Sequence, residues 1–206
     1  MRIKSAFTTN IFLFFLLTAC LYSSCTPPQA QRLTPRDLSI ERPGATALVV
    51  VQSRTGNTAL LGMHISETMA ADYIRLETPP GYGDTYIAYT SRKKEVPIRP
   101  EKKDLSKYRL VFLGSPIWYW HPTAFIYTFI KNNDLSGKKV VLFFTNQGGL
   151  GDDAIDEWKA LVRKQGGTVI DVLGINRNEF ETYKALLAEI KAQVGKHKPG
   201  WDIKDR

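Results

Sequence analysis

Six consecutive residues, Ser53-Arg54-Thr55-Gly56-Asn57-Thr58, carry the groups needed to hold a phosphate without a metal. They stand between an apolar, β-branched run, Thr46 to Gln52, and a proline-free segment, Ala59 to Ala71. The run reads as a buried strand and the segment as a helix. A tight turn between them leaves backbone N–H groups at the positive end of a helix dipole, where a phosphate binds well. Ser53, Thr55 and Thr58 add hydroxyl donors. Gly56 permits the conformation that turns N–H groups inward. No lysine follows in the pattern Gly-Lys-Ser/Thr, so this is not a nucleoside-triphosphate loop. A plain helix cap would use the same residue types.

Two further stretches lie after apolar runs. Ser115 to Pro122 contains Pro116, Ile117, Trp118, Tyr119 and Trp120. Three large aromatics in an irregular segment are costly to leave in water, so they either pack on the core or stack on a planar ligand. Thr145, Asn146, Gln147, Gly148 and Gly149 offer backbone N–H and side-chain amide groups, and the glycines let the main chain come close. Other chemistry has thinner support. Gly149-x-Gly151-x-x-Ala154 matches a dinucleotide fingerprint with Asp171 about twenty residues on, but it follows the fourth apolar run rather than the first. Gly-x-Ser-x-Gly is absent. Ser115 and His121 share a loop with no carboxylate beside them in sequence. His64, His121 and His197 make no metal-ligand pattern, and both cysteines, Cys20 and Cys25, lie near the N-terminus.

The elements that must position these stretches follow from periodicity. Strands are expected at Thr46–Gln52, Tyr73–Glu77, Tyr108–Gly114, Lys138–Thr145 and Gly167–Gly174. Helices are expected at Ala59–Ala71, up to Lys131, at Asp152–Gln165 and at Glu179–Val194. Residues Thr78 to Lys107 form a long polar insert, within which Asp84–Lys94 suits a short helix. Apolar strands alternating with helices require a parallel sheet covered on both faces. Five strands with right-handed crossovers give the doubly wound α/β fold, order 2-1-3-4-5, whose switch point lies between strands one and three. The loops after strands one, three and four then converge on one ligand.

Ser-x-Thr-Gly-x-Thr at 53–58 resembles the phosphate loop of the flavodoxins. Gly114-Ser-Pro-Ile-Trp-Tyr119 resembles the matching loop of one small flavodoxin-like subfamily, whose members carry a similar basic insert ending in proline. The resemblance covers Ala45 to Val194. It implies FMN, with the phosphate at Ser53–Thr58 and the ring between the other two loops, Trp118 stacked on it. It also implies redox chemistry supplied by the flavin. Two departures stand out. Many flavodoxins stack a second aromatic from the loop after strand four, and none lies between Thr145 and Asp153 here. Relatives have a glycine where Trp120 stands, and its peptide flip stabilises a half-reduced flavin. The resemblance therefore implies either an electron carrier or an FMN-dependent NAD(P)H oxidoreductase acting on quinones or similar acceptors. A flavin-free binding module on the same fold is a third reading. The partner is a redox protein or a small-molecule acceptor.

The chain has 206 residues, 43% of them hydrophobic, enough for one packed core. Its formal charge is +8, or +6 without Arg2 and Lys4. The basic residues are spread along the chain, which argues against a nucleic-acid groove. Residues 1–19 have a basic start, an apolar stretch and small residues, as an export signal does. Leu17-Thr18-Ala19-Cys20 resembles the lipobox of bacterial lipoproteins, which implies lipidation at Cys20 and a membrane anchor in the cell envelope. Residues 20–44 read as a flexible tether, 45–194 as the folded domain, and 195–206 as a solvated basic tail.

Overall fold

The computed structural model describes residues 39–77 and 95–202. In chain order the elements are β1 (Ser39–Ile40), β2 (Ala47–Val51), α1 (Asn57–Thr68), β3 (Asp72–Arg75), β4 (Leu110–Trp118), β5 (His121–Pro122), α2 (Ala124–Asn132), β6 (Lys139–Asn146), α3 (Ala154–Lys164), β7 (Thr168–Asn176) and α4 (Tyr183–Trp201). A 3-10 turn, Arg177–Glu179, joins β7 to α4.

The parallel strands run β3-β2-β4-β6-β7, which is the expected order 2-1-3-4-5. Alternation along each strand sends side chains to opposite faces and builds two cores. Leu48, Val50, Val111, Leu113, Val140 and Leu142 meet α2 and α3 through Phe125, Phe129 and Trp158. Val49, Val51, Phe112, Val141 and Phe143 meet α1 and α4 through Leu61, Ile65, Leu186 and Ile190. All five residues of β2 are buried, as a central strand covered on both faces requires.

Four expectations need correction. The third strand does not stop at Gly114 but continues to Trp118, because Ser115 and Pro116 go on pairing with Phe144 and Thr145 of β6. Proline is tolerated there for a specific reason. The Gly114 carbonyl accepts the Gln52 N–H, so Pro116, two residues on, faces the same side beyond the last β2 pairing at Val51. Its missing N–H costs no ladder bond. Second, residues 39–44, expected within the tether, belong to the domain. β1 pairs antiparallel with β3, the Arg42 N–H donates to Asp72 Oδ1 (2.6 Å), and the Arg42 guanidinium donates to the Ala71 carbonyl (2.6 Å).

Third, the closing helix does not end at Val194. It runs to Trp201, whose indole is wholly buried, lies edge-on to Phe112 and donates to Asp171 (2.7 Å). The basic residues from Lys196 onward hid one large apolar anchor. Fourth, the end of the polar insert is packed: Val96, Ile98 and Leu105 are buried against the α2 face. The expected short helix at Asp84–Lys94 lies outside the described residues, as do residues 1–38 with Cys20.

Candidate functional site

β2, β4 and β6 end side by side, and their exits enclose an open cleft of about 250 Å³. The first wall is the turn after β2. Ser53 is buried, its Oγ accepts the Gly56 N–H (3.2 Å), and its carbonyl accepts from the Arg75 guanidinium (2.7 Å). Gly56 is left-handed (φ 100°), which glycine adopts without strain, and α1 starts directly after it. No side chain caps this helix end. The residues that would serve as a cap thus leave the first-turn N–H groups for a ligand. Ser53, Arg54, Thr55, Asn57 and Thr58 all line the cleft.

Pro116, Ile117 and Trp118, the last residues of β4, form the second wall. Trp118 is partly buried against the α2–α3 core, and the Arg54 guanidinium lies over its indole, 5.9 Å from the centroid. The third wall is Thr145, Asn146 and Gln147 at the end of β6. Thr58 and Thr145 are both buried and share a 2.7 Å hydrogen bond between hydroxyls, which locks the first wall to the third.

Tyr119 and Trp120 do not line the cleft. They form the two-residue turn between β4 and β5, with φ of 48° and 67°. Two left-handed residues make the turn that a tight hairpin prefers, one normally filled by glycine or asparagine. The turn puts two aromatics in a conformation costing L-residues about 1–2 kcal/mol each. Trp120 remains 57% exposed and leans on the β6 exit, its carbonyl accepting the Gly151 N–H (2.9 Å). A Cβ at Gly149 would come within 2.7 Å of the Trp120 ring, so Gly149 makes room for that ring rather than for a ligand. Gly148 also stands off the cleft, its carbonyl accepting from the Asn146 amide (2.5 Å).

Arg177 completes the lining and was missed. It follows β7, whose Asn176 pairs with Asn146, and the neighbouring Asn178 amide donates to the Gln147 carbonyl. Its signal in the sequence was a polar residue directly after an apolar strand. The switch-point argument did not extend to the fifth strand, which here reaches far enough to join the third wall. Among the described residues, no Asp or Glu lines this cleft.

The rival readings lose their geometry. Asp171, needed for a dinucleotide ribose, is held by His197 Nδ1 (2.7 Å) and Trp201 against the end of α4. Ser115 is buried, its Oγ accepting the Thr123 N–H (2.9 Å), while His121 lies between Asp153 (4.0 Å) and Glu157 (3.8 Å). Those carboxylates come from α3 and the residue before it, where sequence neighbours gave no hint, and they do not join Ser115. Among the described residues, no group of three or more His, Cys, Asp or Glu could hold a metal ion.

This architecture agrees with a family model described as flavodoxin, which matches residues 47–165, more than half of the chain. The chain belongs to the flavodoxin family. Solved structures similar to it include a flavoprotein in complex with FMN from Lactobacillus acidophilus NCFM, at 20% identity and a TM-score of 0.55, covering 63% of this chain and 93% of that one. A candidate flavoprotein from Bacteroides uniformis ATCC 8492 is 21% identical with a TM-score of 0.58, covering 72% and 99%. Another from Bacteroides eggerthii DSM 20697 is 22% identical with a TM-score of 0.54, covering 72% and 98%. No curated protein matches this chain. For a flavodoxin, the cleft has a fitting donor set: helix N–H groups and hydroxyls for a monoester phosphate, an indole for the ring, and amides at the third wall.

Proposed function

We propose that this flavodoxin-family protein is an FMN-binding redox protein that passes electrons between partners while tethered to the cell envelope. The observation that carries the reading is the convergence at one cleft of the uncapped α1 N-terminus, with Ser53, Thr55 and Thr58 around it, and Trp118. The phosphate binds the helix end and the hydroxyls, which need no counter-cation because the N–H groups and dipole supply the positive field. Trp118, backed by the core, fixes the plane of the ring. Asn146 and Gln147 present amides to its polar edge. FMN when bound supplies reversible electron uptake, and the chain supplies position and electrostatics.

A second reading is an FMN-dependent NAD(P)H oxidoreductase acting on quinones or similar acceptors. It is favoured by the third wall, which is lined by Thr145, Asn146 and Gln147, with no aromatic among the described residues there to cover the other face of the ring. One experiment separates the two. Purified protein is loaded with FMN, its absorption spectrum recorded, and NADH or NADPH added without air. A carrier stays oxidised until dithionite or a partner reductase is supplied. Bleaching within seconds, with turnover on a quinone, identifies the reductase. Absence of any FMN uptake would falsify both readings and leave a flavin-free binding module.

Leu17-Thr18-Ala19-Cys20 supports lipidation at Cys20, with residues 21–38 linking the lipid to the domain.

A further inference from the structure

The cleft is cationic on both sides. Arg54 stands at the first wall and Arg177 at the third, and among the described residues no carboxylate lines it. Glu179, two residues after Arg177, accepts from the Asn176 amide (3.0 Å) and lines the adjoining hollow instead. The strand order places the two arginines differently. Arg54 sits in the turn after β2, at the phosphate. Arg177 follows Asn176, which pairs with Asn146 on the far side of β6, so its charge belongs to the ring end of the cleft. Asn178 ties its turn to Gln147, and the Phe180 carbonyl accepts from the Arg177 guanidinium, so the side chain is anchored rather than loose.

An isoalloxazine that gains two electrons and one proton, as hydride from a dihydronicotinamide or stepwise from a partner protein, acquires one negative charge. That charge spreads over N1 and the C2 carbonyl, on the pyrimidine edge. On the FMN reading above, that edge lies at the third wall. We propose that Arg177 is a further residue of the site, which holds the charge of fully reduced FMN and so sets the flavin up for two-electron reduction. A cation a few ångströms from a developing anion in a partly desolvated cleft strengthens binding of the charged form by on the order of tenfold or more. The oxidised ring, being neutral, gains far less.

The test is the affinity of the protein for oxidised and for dithionite-reduced FMN, with the midpoint potential of the bound flavin, in wild type, Arg177→Gln and Arg177→Lys. Arg177→Gln is expected to leave oxidised FMN binding within about threefold and to weaken reduced FMN binding about tenfold. The two-electron potential then falls by about 30 mV, the equivalent of that tenfold ratio. Arg177→Lys restores most of it. Equal losses for both oxidation states mean that Arg177 only shapes the loop or meets the phosphate, and an unchanged potential means that it faces solvent. Either result overturns the proposal while the FMN reading stands. A wild type that takes up no FMN overturns both.

Discussion

Thr55 and Thr58 have the same side chain in the same turn, yet they are not equivalent. Thr58 is buried and bonded to Thr145, while Thr55 lines the cleft without that structural duty. Removing a hydroxyl donor to a charged acceptor costs about 1.5–3 kcal/mol. Thr55→Val is therefore expected to weaken FMN binding roughly ten- to a hundredfold with little change in melting temperature, and riboflavin binding is expected to change much less. Thr58→Val adds a loss of stability, since it leaves the Thr145 hydroxyl buried and unpaired. Equal losses for FMN and riboflavin would show that these hydroxyls do not touch phosphate. The aromatics divide in the same way. Trp118→Ala is expected to weaken FMN binding and restore flavin fluorescence, because among the described residues it is the one aromatic that lines the cleft. Trp120→Gly is expected to leave the melting temperature unchanged or raised, since it relieves a left-handed residue at φ 67°. A large fall in stability on Trp120→Gly would mean that packing on Gly149 outweighs backbone strain.

At the scale of elements, two carboxylates fasten the outer parts of the sheet. Asp72 on β3 is buried, which works against its charge. Its bonds from Lys107 (2.8 Å), the Arg42 N–H and the Tyr108 hydroxyl (2.7 Å) outweigh that cost and hold its carboxyl below the usual 3.8. Burial and the Asp72 charge push Tyr108 up to about 12, so the phenol remains a donor at any ordinary pH. Asp171 on β7 is likewise held low, with burial opposing and His197, Trp201 and the Val172 N–H prevailing. For a group whose folded pKa lies below its unfolded value, the stabilisation is complete above the unfolded value and lost as pH falls through the folded one. Urea midpoints are therefore expected to hold from pH 7 to about 5 and to fall below about 4. Asp72→Asn is expected to flatten that acid limb. An acid limb unaltered in Asp72→Asn and Asp171→Asn alike would place the acid sensitivity elsewhere. The α4 anchor gives a larger effect: Trp201→Ala empties a fully buried site and is expected to cost about 3–5 kcal/mol, read as the shift in urea midpoint.

For the whole molecule, the predictions concern where the protein sits and how it meets partners. On the proposed anchoring at Cys20, the chain enters the domain at Ser39, which pairs with Ile74 near the C-terminal end of β3, the edge of the sheet that carries the cleft. Cys20→Ala is expected to release the protein from membranes or to block its processing, read by fractionation and intact mass. Unchanged fractionation and mass would remove the lipid anchor. On the proposed carrier reading, the surplus of basic charge favours a partner with an acidic docking surface, since surfaces of opposite sign steer encounter and like signs repel. Among the described residues no helix is long and apolar enough to cross a membrane.

What the sequence by itself determined is whatever depends on short-range pattern. The apolar run Thr46 to Gln52 reads as a strand buried on both faces, and Gly56 with its hydroxyl neighbours suits a tight exit to a helix. A series of such units permits little besides a doubly wound sheet, because parallel strands need crossovers and crossovers have one hand. The cleft was legible to that extent: Ser53, Thr55, Thr58, Trp118 and Thr145 come together as their positions at strand ends dictate. Tertiary structure decided the rest, and each case turns on a partner remote in sequence. Pro116 could extend a strand only because β2 stops beside it. Trp120 is thrown out of the cleft by a hairpin turn that its own residue type disfavours. Trp201 folds a basic tail into a helix because Phe112 and Asp171 wait for it about 90 and 30 residues upstream. Arg177 enters the cleft because β7 pairs with β6 as far as Asn176, a register that no local pattern records.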